Sequence, residues 1–169
     1  MIELKKFTKS DFDTLISWIK NEEDLVQFSG PIFSFPLTES QLSSYIKMTD
    51  KRIFKIVNTS TNTTIGHCEL NYTNGNNRLS RILIGDKNSR GKGYCKIIIA
   101  KMTTMLFEDL NVNEVDLNVF DWNKGAIKCY QNAGFIIDTK THKKQTVKGE
   151  VWTCLNMKLH RNNWLQHTL

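Results

Sequence analysis

The sequence contains only two prolines, Pro31 and Pro36, and no Pro-rich or Gly/Ser-rich tract long enough to serve as a linker. That excludes an internal hinge of the usual composition, so residues 1–169 are expected to form a single domain. No C-x-x-C pair occurs. Cys68, Cys95, Cys129 and Cys154 are scattered, which excludes a zinc ribbon or a dense disulfide framework and predicts four reduced, small apolar side chains. No window reaches the ~20 apolar residues that would span a bilayer. Residues 1–7 alternate apolar and charged side chains instead of forming an apolar leader. A cytoplasmic protein without a membrane partner is the expectation.

Charge is present in excess of one sign, +6 net, and it is concentrated at residues 87–96 and 140–148. Neither cluster is interleaved with aromatics at the spacing of a base-stacking platform, which argues against nucleic acid. An anionic small ligand fits the first cluster better.

Hydrophobic residues make up 40% of the chain, enough for a substantial core. Their periodicity sets out a mixed order. Residues 2–7 read as a strand. Thr8 to Asp11 offer capping side chains before Phe12, Leu15, Ile16 and Ile19 at helical spacing. Residues 24–36 carry both prolines among Phe28, Phe33 and Phe35 and read as an aromatic loop. Thr38, with Gln41 three residues on, predicts a capping box and a second helix through Tyr45. Residues 52–57, 64–72 and 78–85 read as an antiparallel meander, its second turn at Asn74 to Asn77. A helix of about five turns follows Gly91, then a strand at 114–120, making a strand–helix–strand unit with two parallel strands. A helix at 123–133 stops at Gly134, and strands at 135–138 and 151–159 close the order. The class is α/β (α+β): a mostly antiparallel twisted sheet of 6–7 strands flanked by about four helices.

Chemistry concentrates where the third meander strand ends. There Arg90-Gly91-Lys92-Gly93-Tyr94-Cys95 opens the long helix. The first turn of a helix has unpaired N–H groups and the positive end of the macrodipole, and glycine lets an anion come close. The turn lacks the Gly-Lys-Ser/Thr of a Walker loop and the third glycine of a dinucleotide fingerprint.

Arg90-x-x-Gly93-x-Cys95 resembles the Gln/Arg-x-x-Gly-x-Gly/Ala motif of the GNAT superfamily of N-acetyltransferases, with Cys95 in place of the final Gly or Ala. Asn123-x-x-Ala126-x-x-x-Tyr130-x-x-x-Gly134-Phe135 resembles the family's downstream helix, and Thr64-Ile65-Gly66 its third-strand start. The overall layout is most similar to the branch of ribosomal-protein and small-amine acetyltransferases. The resemblance implies the acyl-CoA N-acyltransferase fold, acetyl-CoA as co-substrate, no metal, and acetyl transfer to a primary amine by direct attack in a ternary complex. It leaves room for a homodimer. It also implies that Leu83 and Ile84 pair with the pantetheine arm, that Arg90 to Cys95 hold the pyrophosphate, and that Asn123 lies near the cofactor arm.

Tyr130 matches the tyrosine that protonates the departing CoA thiolate, a sensible task for a phenol of pKa ~10. The attacking amine has to lose a proton, to a base or to a water chain. Glu69 is the first candidate base, with alternation turning it away from Cys68 and Leu70. His67 is the second, read as facing opposite Glu69; His142, His160 and His167 have no partners identifiable in the sequence. Trp18, Phe28, Phe33, Phe35 and Trp152 are candidates to line an acceptor pocket, with Glu22, Glu23 and Asp24 attracting a cationic amine. A non-catalytic CoA-binding module is the alternative reading.

Overall fold

The computed structural model describes residues 1–73 and 75–168. Contacts group the chain into two compact units, Met1–Asn71 with Ser80–Tyr94, and Tyr72–Leu79 with Cys95–Leu169.

The first unit opens with strand β1 (Ile2–Lys6), a 3₁₀ turn at Lys9–Asp11 and helix α1 (Phe12–Trp18). The turn is fixed by Asp11, whose carboxylate accepts the Thr8 N–H at 2.9 Å and also receives Lys55 Nζ at 2.8 Å. Helix α2 (Glu22–Ser29) comes next, so the first part of the expected aromatic loop is helical. The physical reason is a cap. Asn21 Oδ1 accepts the Asp24 N–H at 2.8 Å, and Glu22, Glu23 and Asp24 stand in the first turn where the macrodipole favours them. Leu25, Val26 and Phe28 then turn inward and are buried.

Thr38 caps helix α3 (Glu39–Tyr45) as expected, its side chain accepting the Gln41 N–H. The reciprocal half of the box differs. Gln41 reaches back into the preceding loop, accepting from the Ser34 N–H at 2.9 Å and donating to the Pro36 carbonyl at 3.0 Å. Strands β2 (Lys51–Asn58) and β3 (Thr63–Thr73) pair antiparallel, and β1 pairs antiparallel with β2. A cluster of Phe7, Phe12, Leu15, Leu25, Phe28 and Leu42 forms the core of this unit.

Strand β4 (Asn76–Ile84) follows; of the turn expected before it, Asn74 lies outside the described residues. Helix α4 (Tyr94–Thr104) continues into a π-helical turn at Met105–Asp109, which accounts for the length of the apolar pattern there. In the second unit β5 (Glu114–Phe120) pairs in parallel with β4 at Arg78↔Asp116 and Leu79↔Leu117. This is the expected strand–helix–strand unit.

Helix α5 (Lys124–Asn132) is followed by β6 (Ile136–Val147) and β7 (Glu150–His160). The sixth strand is far longer than its apolar start suggested. Its basic stretch continues the ladder past an irregularity between Asp138 and His142, pairing Lys143 with Cys154 and Gln145 with Trp152. Helix α6 (Arg161–Thr168), not anticipated, packs Trp164 on Phe107 with ring centroids 5.0 Å apart. The seven strands run in the order β1-β2-β3-β4-β5-β7-β6, with six α-helices among the described residues, two more than the sequence pattern supplied.

Candidate active site

The glycine turn is built by the end of β4. Asp86 organises the exit, accepting the Asn88 N–H at 3.1 Å and the Ser89 hydroxyl at 2.5 Å. These bonds, the Ser89 hydroxyl foremost, with Lys92 and Arg90 nearby, hold its carboxyl below the ordinary carboxylate range. Gly85 has to be glycine for space: a Cβ there would fall within the Trp18 indole, at 1.9 Å from its nearest atom. Arg90 folds back so that its Nε donates to the Ile84 carbonyl at 2.9 Å.

Gly91 (φ +73°) and Gly93 (φ +76°) both adopt the left-handed conformation, and nothing lies within 4 Å of the position a Cβ would take at either. The open space is what an anion seated on the first-turn amides of α4 requires. Arg90 and Lys92 are exposed beside it, and the Tyr94 hydroxyl accepts from Asn58 Nδ2 at 3.4 Å. Leu83 and Ile84 are half-buried at the end of β4.

Glu69 and His67 lie in the same unit, and the structure corrects one expectation about them. Residues two apart on β3 share a face, and both meet the Tyr45 hydroxyl: it donates to Glu69 Oε2 and stands 3.5 Å from His67 Nε2. Glu69 Oε1 is taken by the Arg81 guanidinium. Glu69 is fully buried and Arg81 only 9% exposed, so this is a closed ion pair within the protein interior. Burial, with Glu69 beside it, holds the Tyr45 phenol well above its ordinary value.

Arg81 reaches this position by an unusual backbone, φ +48° within β4. A non-glycine residue there is strained by about 1–3 kcal/mol. The side-chain bond to Glu69 and the His67 Nδ1–H donated to the Arg81 carbonyl at 3.1 Å hold it in place. His67 is enclosed edge-on by Phe7 and Phe28, centroids 5.0 and 5.2 Å away. Burial lowers its pKa to about 4, so the ring is neutral.

A pH dependence of stability follows. An unfolded histidine titrates near 6.5, so as pH falls the unfolded chain binds the proton first and the folded state loses ground. The stability gained from a neutral His67 is full above pH ~6.5 and is lost towards pH 4, by about 3 kcal/mol. Urea unfolding at pH 7 and pH 4.5 reads this loss, and His67→Gln should flatten it. An unchanged slope in that variant would refute the assignment.

The second unit holds Asn123, Tyr130 and Cys95. Asn123 caps α5, its Oδ1 accepting the Ala126 N–H at 3.3 Å. Tyr130 is 7% exposed, its ring 6.2 Å from that of Phe135, and burial pushes its phenol up to about 12. Its carbonyl accepts the Phe135 N–H at 3.0 Å, and the Gly134 N–H donates to Gln131, so the helix exit fixes the tyrosine.

Cys95 and Cys129 are joined in a disulfide, with Cα atoms 6.4 Å apart. The expectation of four reduced cysteines is therefore wrong for this pair, and right for Cys68 and Cys154. No spacing motif reveals the bond because 34 residues separate the partners and only the fold brings Cys95 at the start of α4 to Cys129 on α5. A crosslink across that separation removes unfolded-chain entropy worth about 3–4 kcal/mol.

Of the expected acceptor-pocket aromatics, Phe28 is buried and stacked on Phe33, and Phe33 meets Tyr45 edge-on at 5.3 Å. Phe35 remains 46% exposed. In the second unit Trp152 packs edge-on against Phe120 and Trp122. His160 finds a partner in Glu114 at 3.1 Å, and the side chain of His167 lies outside the described residues. Among the described residues no cluster of His, Cys, Asp and Glu gathers that could hold a metal, and no helix is long and apolar enough to cross a membrane.

A strand leaving the sheet into an open glycine turn, followed by a long helix and a parallel strand, defines an anion-binding α/β acyltransferase architecture. The family model of the acetyltransferase (GNAT) domain matches residues 2–136, and the chain belongs to that family. It is an acetyltransferase that takes acetyl-CoA as co-substrate. The fold is similar to that of a spermidine N-acetyltransferase from Vibrio cholerae in complex with CoA and spermine. That match has a TM-score of 0.81 at 18% identity, covering 97% of this chain and 98% of that one. A dodecameric structure of spermidine N-acetyltransferase from the same organism, in an intermediate state, matches with a TM-score of 0.75 at 20% identity, covering 99% and 98%.

Proposed function

We propose that this chain, as one GNAT domain over residues 1–169, acetylates an aliphatic polyamine or a closely related small primary amine in the cytoplasm, by direct attack in a ternary complex. The observation that carries the reading is the turn Arg90-Gly91-Lys92-Gly93, with both glycines left-handed and open space where side chains would otherwise stand. The likeness to spermidine N-acetyltransferases supports a polyamine, and that to a dodecamer supports a homo-oligomer larger than a dimer.

Acetyl-CoA supplies a thioester carbonyl for the amine to attack. Arg90, Lys92 and the first-turn amides of α4 hold the pyrophosphate, with Cys95 in the turn that bears them, and Leu83 and Ile84 offer backbone groups to the pantetheine arm. The family motif assigns Asn123, besides its cap on α5, to the cofactor arm. As the N–C bond forms and the C–S bond breaks, Tyr130 gives its phenolic proton to the leaving sulfur. Its raised pKa keeps that proton in place at any physiological pH.

The amine's own proton goes to water. A direct role for Glu69 would need access from the acceptor, and Glu69 is fully buried with its two oxygens bound to Arg81 and Tyr45. We therefore read Glu69 as the anchor of the strained Arg81 segment. The acids Glu22, Glu23 and Asp24 on α2 supply negative charge suited to a cationic amine.

The test is release of CoA thiol from acetyl-CoA in the presence of spermidine, spermine, amino sugars and peptide N-termini. Release with the polyamines above all others is the expected result. Release only with peptide N-termini would reassign the acceptor. Binding of acetyl-CoA with no release for any amine would favour the non-catalytic module.

A further inference from the structure

The disulfide sits where chemistry is expected to happen. Cys95 occupies the last position of the pyrophosphate motif, in the first turn of α4, and Cys129 immediately precedes Tyr130 on α5. Both residues are partly exposed, so small solutes can reach them, unlike Cys68, which is fully buried with its thiol pKa raised by burial. A purely structural staple has no need of this position, and in a cytoplasmic enzyme an accessible disulfide is typically a transient, redox-sensing one.

We propose that Cys95 and Cys129 form a redox-active thiol–disulfide site that exchanges with low-molecular-weight disulfides, and that its closure tightens the binding of acetyl-CoA. The second half of the proposal rests on the acetyltransferase reading above; the first rests only on the cytoplasmic location proposed with it.

The chemistry balances without any further reagent. The start of α4 favours negative charge, which makes Cys95 the attacking thiolate. Its sulfur displaces one thiolate from the external disulfide and forms a mixed disulfide. The Cys129 thiolate then attacks Cys95 Sγ, closes the intramolecular bond and expels the second thiolate. Two protein thiols are oxidised by two electrons, one external disulfide is reduced to two thiols, and the two protons from the cysteines end on those thiols. Lys96 and Lys128, exposed and adjacent in sequence to the two cysteines, suit an anionic disulfide such as that of glutathione.

Closure acts on the cofactor through order. The bond ties the first turn of α4 to α5, so the amides that receive the pyrophosphate are fixed before the ligand arrives, and less freedom is lost on binding. It also commits the Cys95 sulfur to Cys129 at a position where the family motif takes a residue no larger than alanine. By linkage, a ligand that prefers the closed form must in turn protect it from reduction by the same factor.

The test uses the full chain, equilibrated with glutathione disulfide or with dithiothreitol, and acetyl-CoA as the ligand, because its sulfur is esterified and cannot exchange. Alkylation under denaturing conditions followed by mass spectrometry should count two free thiols in the first sample and four in the second, given four cysteines in all. Calorimetry should show acetyl-CoA binding about tenfold tighter to the oxidised form. Saturating acetyl-CoA should shift the half-point of reduction by a matching factor. Cys129→Ser should bind like the reduced form in dithiothreitol and, lacking the resolving thiol, should stop at the Cys95–glutathione mixed disulfide in the other sample; circular dichroism checks that it is folded.

Four free thiols after glutathione disulfide would overturn the site. Equal affinity of the two forms would overturn the coupling. If neither form binds acetyl-CoA, the acetyltransferase reading and the coupling fall together, while the thiol count still decides whether the pair is redox-active.

Discussion

Replacing Tyr130 by phenylalanine is expected to lower kcat by at least about 100-fold, the usual range for loss of a positioned general acid, with acetyl-CoA affinity nearly unchanged. Phenylalanine keeps the ring that packs beside Phe135 and removes only the hydroxyl. Binding, which depends on the glycine turn, has no cause to change. The pH profile adds a second check. Burial pushes the Tyr130 phenol up to about 12, so the acid stays protonated far above neutrality and the wild-type rate should not fall through loss of this proton below pH ~11. Steady-state kinetics with thiol detection measures both effects. A Tyr130→Phe enzyme with wild-type kcat would place the proton donor elsewhere.

Breaking the Glu69–Arg81 pair from one side is the second large effect. Glu69→Gln leaves a buried guanidinium without its counter-charge, and such half-broken pairs cost about 3–5 kcal/mol. The loss falls where it is least affordable, since Arg81 holds a left-handed backbone (φ +48°) whose carbonyl also accepts from His67. Urea denaturation should show the drop for Glu69→Gln. The double variant Glu69→Leu with Arg81→Met should recover most of it, because a buried ion pair can often be replaced by packed apolar side chains at little cost.

Kinetics decides between anchor and base. If Glu69→Gln loses stability and its remaining folded fraction turns over near the wild-type rate, Glu69 is an anchor. If it keeps full stability and loses turnover, Glu69 is the base and the water route is wrong.

Much of this architecture was legible in the sequence because it is written locally. Alternation marked β1 to β5, and the change of period after Gly93 marked α4. Glycines flanked by Arg90 and Lys92 before that helix identified the anion turn, which the structure keeps open. The motif around Tyr130 placed α5 and its exit at Gly134.

What was missed depends on tertiary context. Helix α2 was hidden because its start is an acidic run that reads as a loop until Asn21 is seen capping it. The length of β6 was hidden because its far half is basic and takes its conformation from pairing with β7. Alternation put Glu69 on the face away from Cys68 and Leu70, yet its partners come from α3 and from a left-handed residue in β4 that no periodicity reveals. For the cysteines the spacing carried no signal at all, since 34 residues lie between Cys95 and Cys129.

The claim on which the rest depends is that acetyl-CoA binds at the turn from Arg90 to Cys95. Calorimetric titration of acetyl-CoA into the wild-type chain and into Gly93→Val tests it most directly. Gly93 has φ +76°, a conformation a β-branched residue adopts only under strain, so the variant should lose the turn while the rest of the fold stays intact by circular dichroism. The expected result is saturable binding to the wild type, weakened at least about tenfold in Gly93→Val. No binding to the wild type, or equal binding to both, would contradict it.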